Sequence, residues 1–306
     1  MSSSKWFVIV NPVSGNGKAK KQWPKIKSLL HTHSFEFDFE FTKSAKHNVS
    51  LVQKAVNQGV KQIICVGGDG TIHNTFNGIM QQKKFPSAEV ILGVIPIGTG
   101  NDWIKTHGLP TSIQEAIKTI KTGNTAKQDV GRMTFPGSDK GMIYFNNMAG
   151  IGFDGYVVSK VGKYKYLGGV AYLVGALLGL IGFKNFKTKL TINDEIITTK
   201  SLMVLIGIGK YSGGGMRLTD YSGFNNGVFD VTIAKNLTKL NVLFNTPKLY
   251  NGEIVDYRKV TKMRAKEMFV QTFDINKPLI QADGELIGGY DFKVEIIPEA
   301  IQFYTI

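Results

Sequence analysis

The run Val66-Gly67-Gly68-Asp69-Gly70-Thr71 is the densest concentration of chemistry in this chain of 306 residues. An apolar stretch precedes it and a helical pattern follows, so it reads as a strand-to-helix turn. Glycines at 67, 68 and 70 let the backbone approach an anion closely, and the first N–H groups of the next helix face that anion. A carboxylate inside a phosphate loop repels its ligand unless a cation or solvent intervenes, so Asp69 implies a metal. Two further turns share the layout. Asn11-Pro12-Val13-Ser14-Gly15 follows the apolar strand Trp6–Val10, and Ile97-Gly98-Thr99-Gly100-Asn101-Asp102 follows a strand at 90–95 and a proline. In a parallel sheet such turns open together at the carboxyl ends of the strands, where α/β proteins bind ligands. Three of them on one edge form a nucleotide site. The P-loop pattern is absent, because Gly15-Asn16-Gly17-Lys18 lacks both its spacing and its Ser/Thr.

The elements that must position these turns alternate. Strands at 6–10, 35–41, 62–66 and 90–95 are interleaved with helical patterns at 18–30, 49–57, 71–80 and 113–121, which predicts an α/β layer with a parallel sheet and flanking helices. After about residue 130 short strand-like runs dominate: 142–145, 189–192, 202–208, 228–234, 268–273 and 292–297. Helical stretches near 156–183 and 238–250 interrupt them. This texture predicts an all-β sandwich following the α/β nucleotide-binding domain. The boundary falls at Gly131, giving domains 1–131 and 132–298, with the terminal strand 299–306 available to rejoin the first.

Composition narrows the partners. Lys and Arg outnumber Asp and Glu by 37 to 23, for a net charge of +14, which favours an anionic partner. The excess is almost all Lys, with Arg only at 132, 217, 258 and 264. Specific base reading leans on Arg, so an anionic membrane surface fits better than nucleic acid. The single Cys65 excludes an internal disulfide and a multi-cysteine zinc site, and the first ten residues hold too short an apolar run for a signal peptide. A reducing, cytoplasmic setting follows. The uncharged stretch 167–183 carries five glycines and falls short of the roughly 20 residues of a spanning helix. It reads as a core helix or as the lining of an acyl-chain path. Arg258, Lys259, Lys262, Arg264 and Lys266 form either a membrane-facing patch or a solvated basic face. Gly150-Ile-Gly152-Phe-Asp-Gly155 spells a dinucleotide fingerprint, yet 165–185 holds none of the acidic residues that motif needs downstream.

The order and spacing of Asn-Pro-x-Ser-Gly, Gly-Gly-Asp-Gly-Thr and Gly-Thr-Gly-Asn-Asp resemble the diacylglycerol kinase catalytic-domain family, which includes bacterial lipid kinases and is related to sphingosine kinases. The likeness continues through Asp129-Val130-Gly131, Phe145-Asn146-Asn147, Gly152-Phe153-Asp154, Gly213-Gly214-Gly215-Met216 and Asp283-Gly284-Glu285. It implies an enzyme that transfers the ATP γ-phosphate to a lipid hydroxyl at the membrane surface, a peripherally bound protein, with a homodimer allowed. It further implies that ATP is held by Asn11, Pro12, Ser14, Gly15, Thr42, Gly67, Gly68, Asp69, Gly70, Thr71, His73, Thr99 and Gly100. Asp69, Asp102 and Asp129 match acidic positions that organise Mg²⁺ and water, and Glu285 matches the proton acceptor, with Asp283 and Asp69 beside it in the catalytic set. The chemistry agrees. Phosphoryl transfer is mostly positioning and charge neutralisation, plus a carboxylate for the hydroxyl proton, and a turn at 283–285 presents two carboxylates. An ordinary Asp-Gly hairpin turn is the other reading of the same residues.

Two departures stand out. Asn74 replaces a usual Glu, and Asn226-Gly227 replaces an Asp-Gly pair. In the family that Asp helps hold a structural Mg²⁺, here corresponding to Gly223, Asn226 and Val228. An Asn offers a carbonyl oxygen without charge and holds Mg²⁺ less well. Two other functions remain on these residues: phosphorylation of a soluble hydroxyl compound, or nucleotide and membrane binding without turnover.

Overall fold

Strand ends decide where the glycine turns go, and in this protein they are level. The computed structural model describes residues 5–161 and 183–306. The chain divides into two compact units, 1–129 with 299–306, and 130–298.

The first unit contains β1 (Trp6–Val10), α1 (Lys18–Thr32), β2 (Phe37–Phe41), α2 (Ala45–Asn57), β3 (Gln62–Gly67), α3 (Asp69–Gln81), β4 (Ile91–Pro96), α4 (Asp102–Thr106), α5 (Ile113–Thr122) and the start of β5 (Thr125–Thr134). Its strands are parallel, in the order β4-β3-β1-β2, and the end of the chain's last strand pairs parallel to β4. Val10 pairs with Val66, Val66 with Ile95, and Gly67 with Pro96. The turns after β1, β3 and β4 therefore start from one level of the sheet. Near-continuous apolar runs make these strands fit a sheet covered on both faces. On one face Trp23, Ile26 and Leu30 of α1 and Ile117 and Ile120 of α5 pack on Val8, Val10, Ile64, Val66 and Ile95. Where elements press closest, only glycine fits. A Cβ on Gly78 of α3 would meet Val52 of α2 at 2.5 Å, and one on Gly93 of β4 would meet Ile120 at 2.8 Å. Local signals delimit the helices: Ser44 and Ser112 cap α2 and α5, and Gly123 ends α5 in the left-handed conformation.

The second unit is an antiparallel β-sandwich. It comprises the end of β5, β6 (Ile143–Phe145), β7 (Met148–Gly152), α6 (Phe153–Val161), β8 (Phe186–Ile192), β9 (Glu195–Gly207), β10 (Phe229–Lys235), α7 (Lys239–Asn245), α8 (Lys248–Asn251), β11 (Val260–Ala265), β12 (Glu267–Thr272), β13 (Ile280–Ala282), β14 (Glu285–Gly288) and the start of β15 (Phe292–Tyr304). The strand path is β14-β13-β7-β9-β8-β12-β15, with β10 and β11 added beside the second half of β9. Inward residues of these strands, among them Phe145, Leu190, Ile206, Phe229, Val270, Phe292 and Val294, form its core.

Several elements differ from the sequence reading. Phe35 is not in β2; it is buried ahead of the strand. β7 runs into the Gly150–Gly155 fingerprint and is followed directly by α6, a strand–helix junction that glycine-rich composition conceals. β11 runs through the basic stretch 258–266, whose alternation is masked by its charges. Residues 167–182, read as core helix or acyl-chain lining, lie outside the described residues.

Candidate active site

In the first unit, Thr71 ties two turns together. Asn11 Nδ2 donates to Thr71 Oγ1 at 2.9 Å, and the Ser14 hydroxyl lies 3.2 Å from the same oxygen. The Asn11 N–H donates to the Val66 carbonyl, and the Ile97 N–H to the Gly67 carbonyl. The chain at 15–17 turns through three successive left-handed residues, Gly15, Asn16 and Gly17. Gly67 lies against Thr71, where a Cβ would come within 2.3 Å of Oγ1. A Cβ on Gly68 would lie 2.9 Å from the Gly98 Cα, and one on Gly98 would lie 2.8 Å from the Gly68 Cα. A Cβ on Gly15 would meet Ile97 at 3.2 Å. The three turns are thus in backbone contact, and their glycines are required for that contact. Gly68 caps α3 without a side-chain hydrogen bond, which leaves the start of that helix suited to an anion.

The carboxylates sit at this junction. Asp69 Oδ1 accepts the Trp103 N–H at 3.1 Å, so the first turn of α3 holds the first turn of α4. A Cβ on Gly100 would lie 3.0 Å from Asp69 Oδ2 and 3.7 Å from Asp102 Oδ2, which places both carboxylates beside that glycine. Burial first, and then the Asp102 charge, push the Asp69 carboxyl up to about 6, against the pull of the N–H groups of Trp103, Asp102 and Asn101. A pair of carboxylates withdrawn from water that resists a second negative charge is the donor set a divalent cation relieves. Among the described residues no three His, Cys, Asp or Glu side chains group as a metal cage. Asp69, Asp102 and Asp129 therefore do not form one, and a cation here would complete its shell with phosphate and water, as Mg²⁺ commonly does.

The other nucleotide positions fall into two sets. Pro12 and Gly70 are half-buried and Thr99 is exposed, all on the turns. Thr42 and His73 are buried. The Thr42 N–H donates to Val10 at the end of β1, and Asn77 Nδ2 contacts the His73 ring. Asp129 is buried in β5, where Oδ1 accepts the Glu299 N–H at 2.8 Å. Asn74 bonds back to the Gly70 carbonyl at 2.7 Å, a local contact that neither adds nor requires a charge.

In the second unit, Asp283 and Gly284 form the left-handed turn between β13 and β14. Asp283 accepts the Asn146 N–H on Oδ2 and the Asn147 and Met148 N–H groups on Oδ1, each at 2.9 Å. Both oxygens are engaged with backbone, so Asp283 acts as a clamp on the turn entering β7. Glu285 is the next residue but one, at the start of β14, with its side chain exposed. Gln281 joins the clamp: its Oε1 accepts the Gly284 N–H at 2.8 Å and its Nε2 donates to Asp154 at 2.5 Å. Burial pushes the Asp154 carboxyl up to about 6, with the Gln281 bond opposing. Gln281 and Asp154 are site residues that the sequence does not single out; their only signal there is proximity to the Asp-Gly-Glu triplet and membership of the Gly-Phe-Asp segment.

The expected structural magnesium site does not fit its residues. Asn226 Nδ2 donates to Ser222 Oγ at 2.6 Å, and its Oδ1 faces the Val228 N–H at 3.3 Å. Ser222 donates from both N and Oγ to Asp230 at 2.8 Å, and Arg264 Nε stands 3.4 Å from the same carboxylate. Hydrogen bonds close the loop at 222–230, and the amide oxygen that a cation would need already faces an N–H group. Arg264 also leaves the supposed basic patch for this pairing. Lys262 pairs with Asp256 and Asp220, and Lys259 Nζ donates to Asn236 and Asn241.

The first unit thus offers level glycine turns and paired carboxylates on a parallel sheet, and the second a clamped acidic turn on a β-sandwich; the class this plan belongs to is an α/β domain followed by a β-sandwich. The sequence signature described as "Diacylglycerol kinase catalytic domain" matches residues 5–133, and that described as "YegS C-terminal NAD kinase beta sandwich-like domain" matches 147–305. The chain belongs to the diacylglycerol kinase catalytic-domain family; it is a kinase with a hydroxyl acceptor and, at the level of the family, a lipid kinase. It is 27% identical over 302 residues to the diacylglycerol kinase of Staphylococcus carnosus, covering 97% of this chain and 94% of that protein. It is 28% identical over 302 residues to the diacylglycerol kinase of Mycobacterium tuberculosis (strain H37Rv), covering 96% and 93%. A crystal structure of a diacylglycerol kinase from Bacillus anthracis strain Sterne shares its fold, with a TM-score of 0.74 at 22% identity over 100% of this chain and 98% of that one. Kinases of this family use ATP. Among the described residues no helix is long and apolar enough to cross a membrane.

Proposed function

We propose that this protein transfers the γ-phosphate of ATP to the hydroxyl of a lipid lying in a membrane surface, with diacylglycerol as the first acceptor to test. The observation that carries the nucleotide half is the backbone contact among the three glycine turns at the level ends of β1, β3 and β4. In this reading the turns Asn11 to Gly15, Gly67 to Thr71 and Gly98 to Gly100 together line the phosphate site, with the uncapped start of α3 facing the anion. Asp69 and Asp102 would hold Mg²⁺, which when bound neutralises the charge that develops on the transferred group. Asp69 also fixes α4 through the Trp103 N–H, so the carboxylates keep their orientation. Thr42 is buried with its N–H on Val10 at the end of β1, His73 is buried in α3, and Asp129 secures β5 by accepting the Glu299 N–H. Glu285, its side chain exposed at the start of β14, takes the proton of the acceptor hydroxyl as its oxygen attacks. Asp283 and Gln281 hold the turn that presents it. The relatives named diacylglycerol kinase support this acceptor class.

Radiolabelled γ-phosphate transfer into mixed-lipid vesicles tests it, wild type beside Glu285→Gln. Label in an organic-phase product from wild type, reduced roughly 10²- to 10⁴-fold in the variant, is the expected result. Label that stays in water-soluble products, or a variant as active as wild type, would overturn the reading.

A further inference from the structure

Helix α7 turns three of its four apolar side chains away from the protein. Val242 packs against the cluster of Phe153, Val157, Leu202, Ala234 and Leu237, while Leu240, Leu243 and Phe244 are 62%, 49% and 76% exposed. Their i, i+3, i+4 spacing gathers them into one ridge. Polar contacts hold the helix in this orientation. Thr238 and Asn241 form a reciprocal cap, Asn245 is buried with its Nδ2 donating to the Asn241 carbonyl at 2.7 Å, and Lys259 Nζ reaches Asn241 Oδ1 at 3.1 Å. The pattern is the inverse of a surface helix that hides its apolar stripe. The flanking sequence is basic: Val231 to Gly252 contains Lys235, Lys239 and Lys248, and the next acidic residue is Glu253.

We propose that this ridge docks the protein on an anionic lipid bilayer, with Leu240, Leu243 and Phe244 entering the boundary between headgroups and acyl chains and Lys239 and Lys248 meeting lipid phosphates. An apolar ridge bordered by lysines matches what an interfacial helix presents to anionic lipid. A stable protein interface needs on the order of 1,000 Å², more than three side chains cover. A second copy would set like-charged lysines against one another. The surface rests on the lipid-kinase reading for its purpose, since such a substrate lies in a bilayer; it rests on α7 alone for its location.

The test is co-sedimentation of the full chain with vesicles of phosphatidylglycerol and phosphatidylcholine, beside phosphatidylcholine alone. Wild type is compared with Leu243→Ser/Phe244→Ser and with Lys239→Glu/Lys248→Glu. All substituted residues are at or near the surface, so unchanged melting is expected and verifies folding. Wild type binds the anionic vesicles, and each double variant binds them at least about tenfold more weakly. Both variants keep wild-type turnover of a short-chain diacylglycerol dispersed below its aggregation limit. Sedimentation of the Leu243→Ser/Phe244→Ser variant equal to wild type, or absence of wild-type binding, refutes the docking surface even if lipid is phosphorylated. A shift of that variant from dimer to monomer, with vesicle binding intact, assigns the ridge to a second copy and also refutes it. Variant-sensitive vesicle binding without any lipid phosphorylation sustains the surface and removes the lipid-kinase reading instead.

Discussion

Asp283→Asn isolates the clamp from the shape of its turn. Asn tolerates the left-handed backbone at this position (φ 50°) as readily as Asp does, so the exchange alters acceptors and charge and little else. One carboxylate oxygen becomes an NH₂ group. In its better orientation the remaining oxygen still accepts the Asn147 and Met148 N–H groups, and the NH₂ faces the Asn146 N–H donor. Hydrogen bonds to a charged acceptor contribute about 1.5–3 kcal/mol each, and neutral ones about 1. Losing one outright and weakening two gives a cost of about 3 kcal/mol. For a unit of the size of 130–298, at about 2–4 °C per kcal/mol, its melting transition falls by about 6–12 °C. Scanning calorimetry reads that shift, and amide exchange at 146–148 should speed up in parallel because those N–H groups lose their acceptor. Turnover falls as well, since the same turn presents Glu285. A change within about 0.5 kcal/mol would refute the reasoning. It would mean that the Asp283 N–H to Met148 carbonyl bond of 2.8 Å and the β7–β13 ladder hold the turn without the carboxylate.

Gly98→Ala puts a methyl 2.3 Å from Asn101 Oδ1 and 2.8 Å from the Gly68 Cα. The two turns must part, so affinity for a fluorescent ATP analogue drops by about tenfold or more while the β-sandwich melts as before. Asn226→Asp removes the amide donor to Ser222 and brings a second carboxylate near Asp230. Melting of the wild type should be indifferent to Mg²⁺ or chelator in the absence of nucleotide, and the variant should melt lower and be rescued by Mg²⁺. A Mg²⁺-dependent wild-type β-sandwich would contradict the hydrogen-bonded closure of that loop. Asp69 and Asp154, both held up to about 6, retain protons between about pH 4 and 6 that the unfolded chain has released. Their share of stability is present at the acid end of that window and is lost as pH rises through it. Asp69→Asn should flatten that slope and raise the melting temperature of nucleotide-free protein at pH 7, while abolishing phosphate transfer.

The order of the glycine turns, the α/β-then-sandwich plan and the acidic triplet were all legible in the amino-acid sequence. Each is a local property: strand-length apolar runs, glycines where backbone must approach an anion, and carboxylates placed in turns. Sequence could also show that Asn226 carries no charge. It could not show that the Asn226 amide closes its loop through Ser222 and Asp230, because those bonds depend on where β10 and β11 bring Asp230 and Arg264. Nor could it separate Asp283, with both oxygens on backbone N–H groups, from the exposed Glu285 two positions on. The basic run 258–266 and the apolar residues of α7 show the same limit. Composition counted the lysines and leucines, but only packing determined that Lys262 and Arg264 are paired within the β-sandwich while Leu240, Leu243 and Phe244 face outward. The physical reason is that charge and hydropathy belong to residues, whereas pairing and exposure belong to neighbours, and most of the neighbours that matter here are distant in the chain.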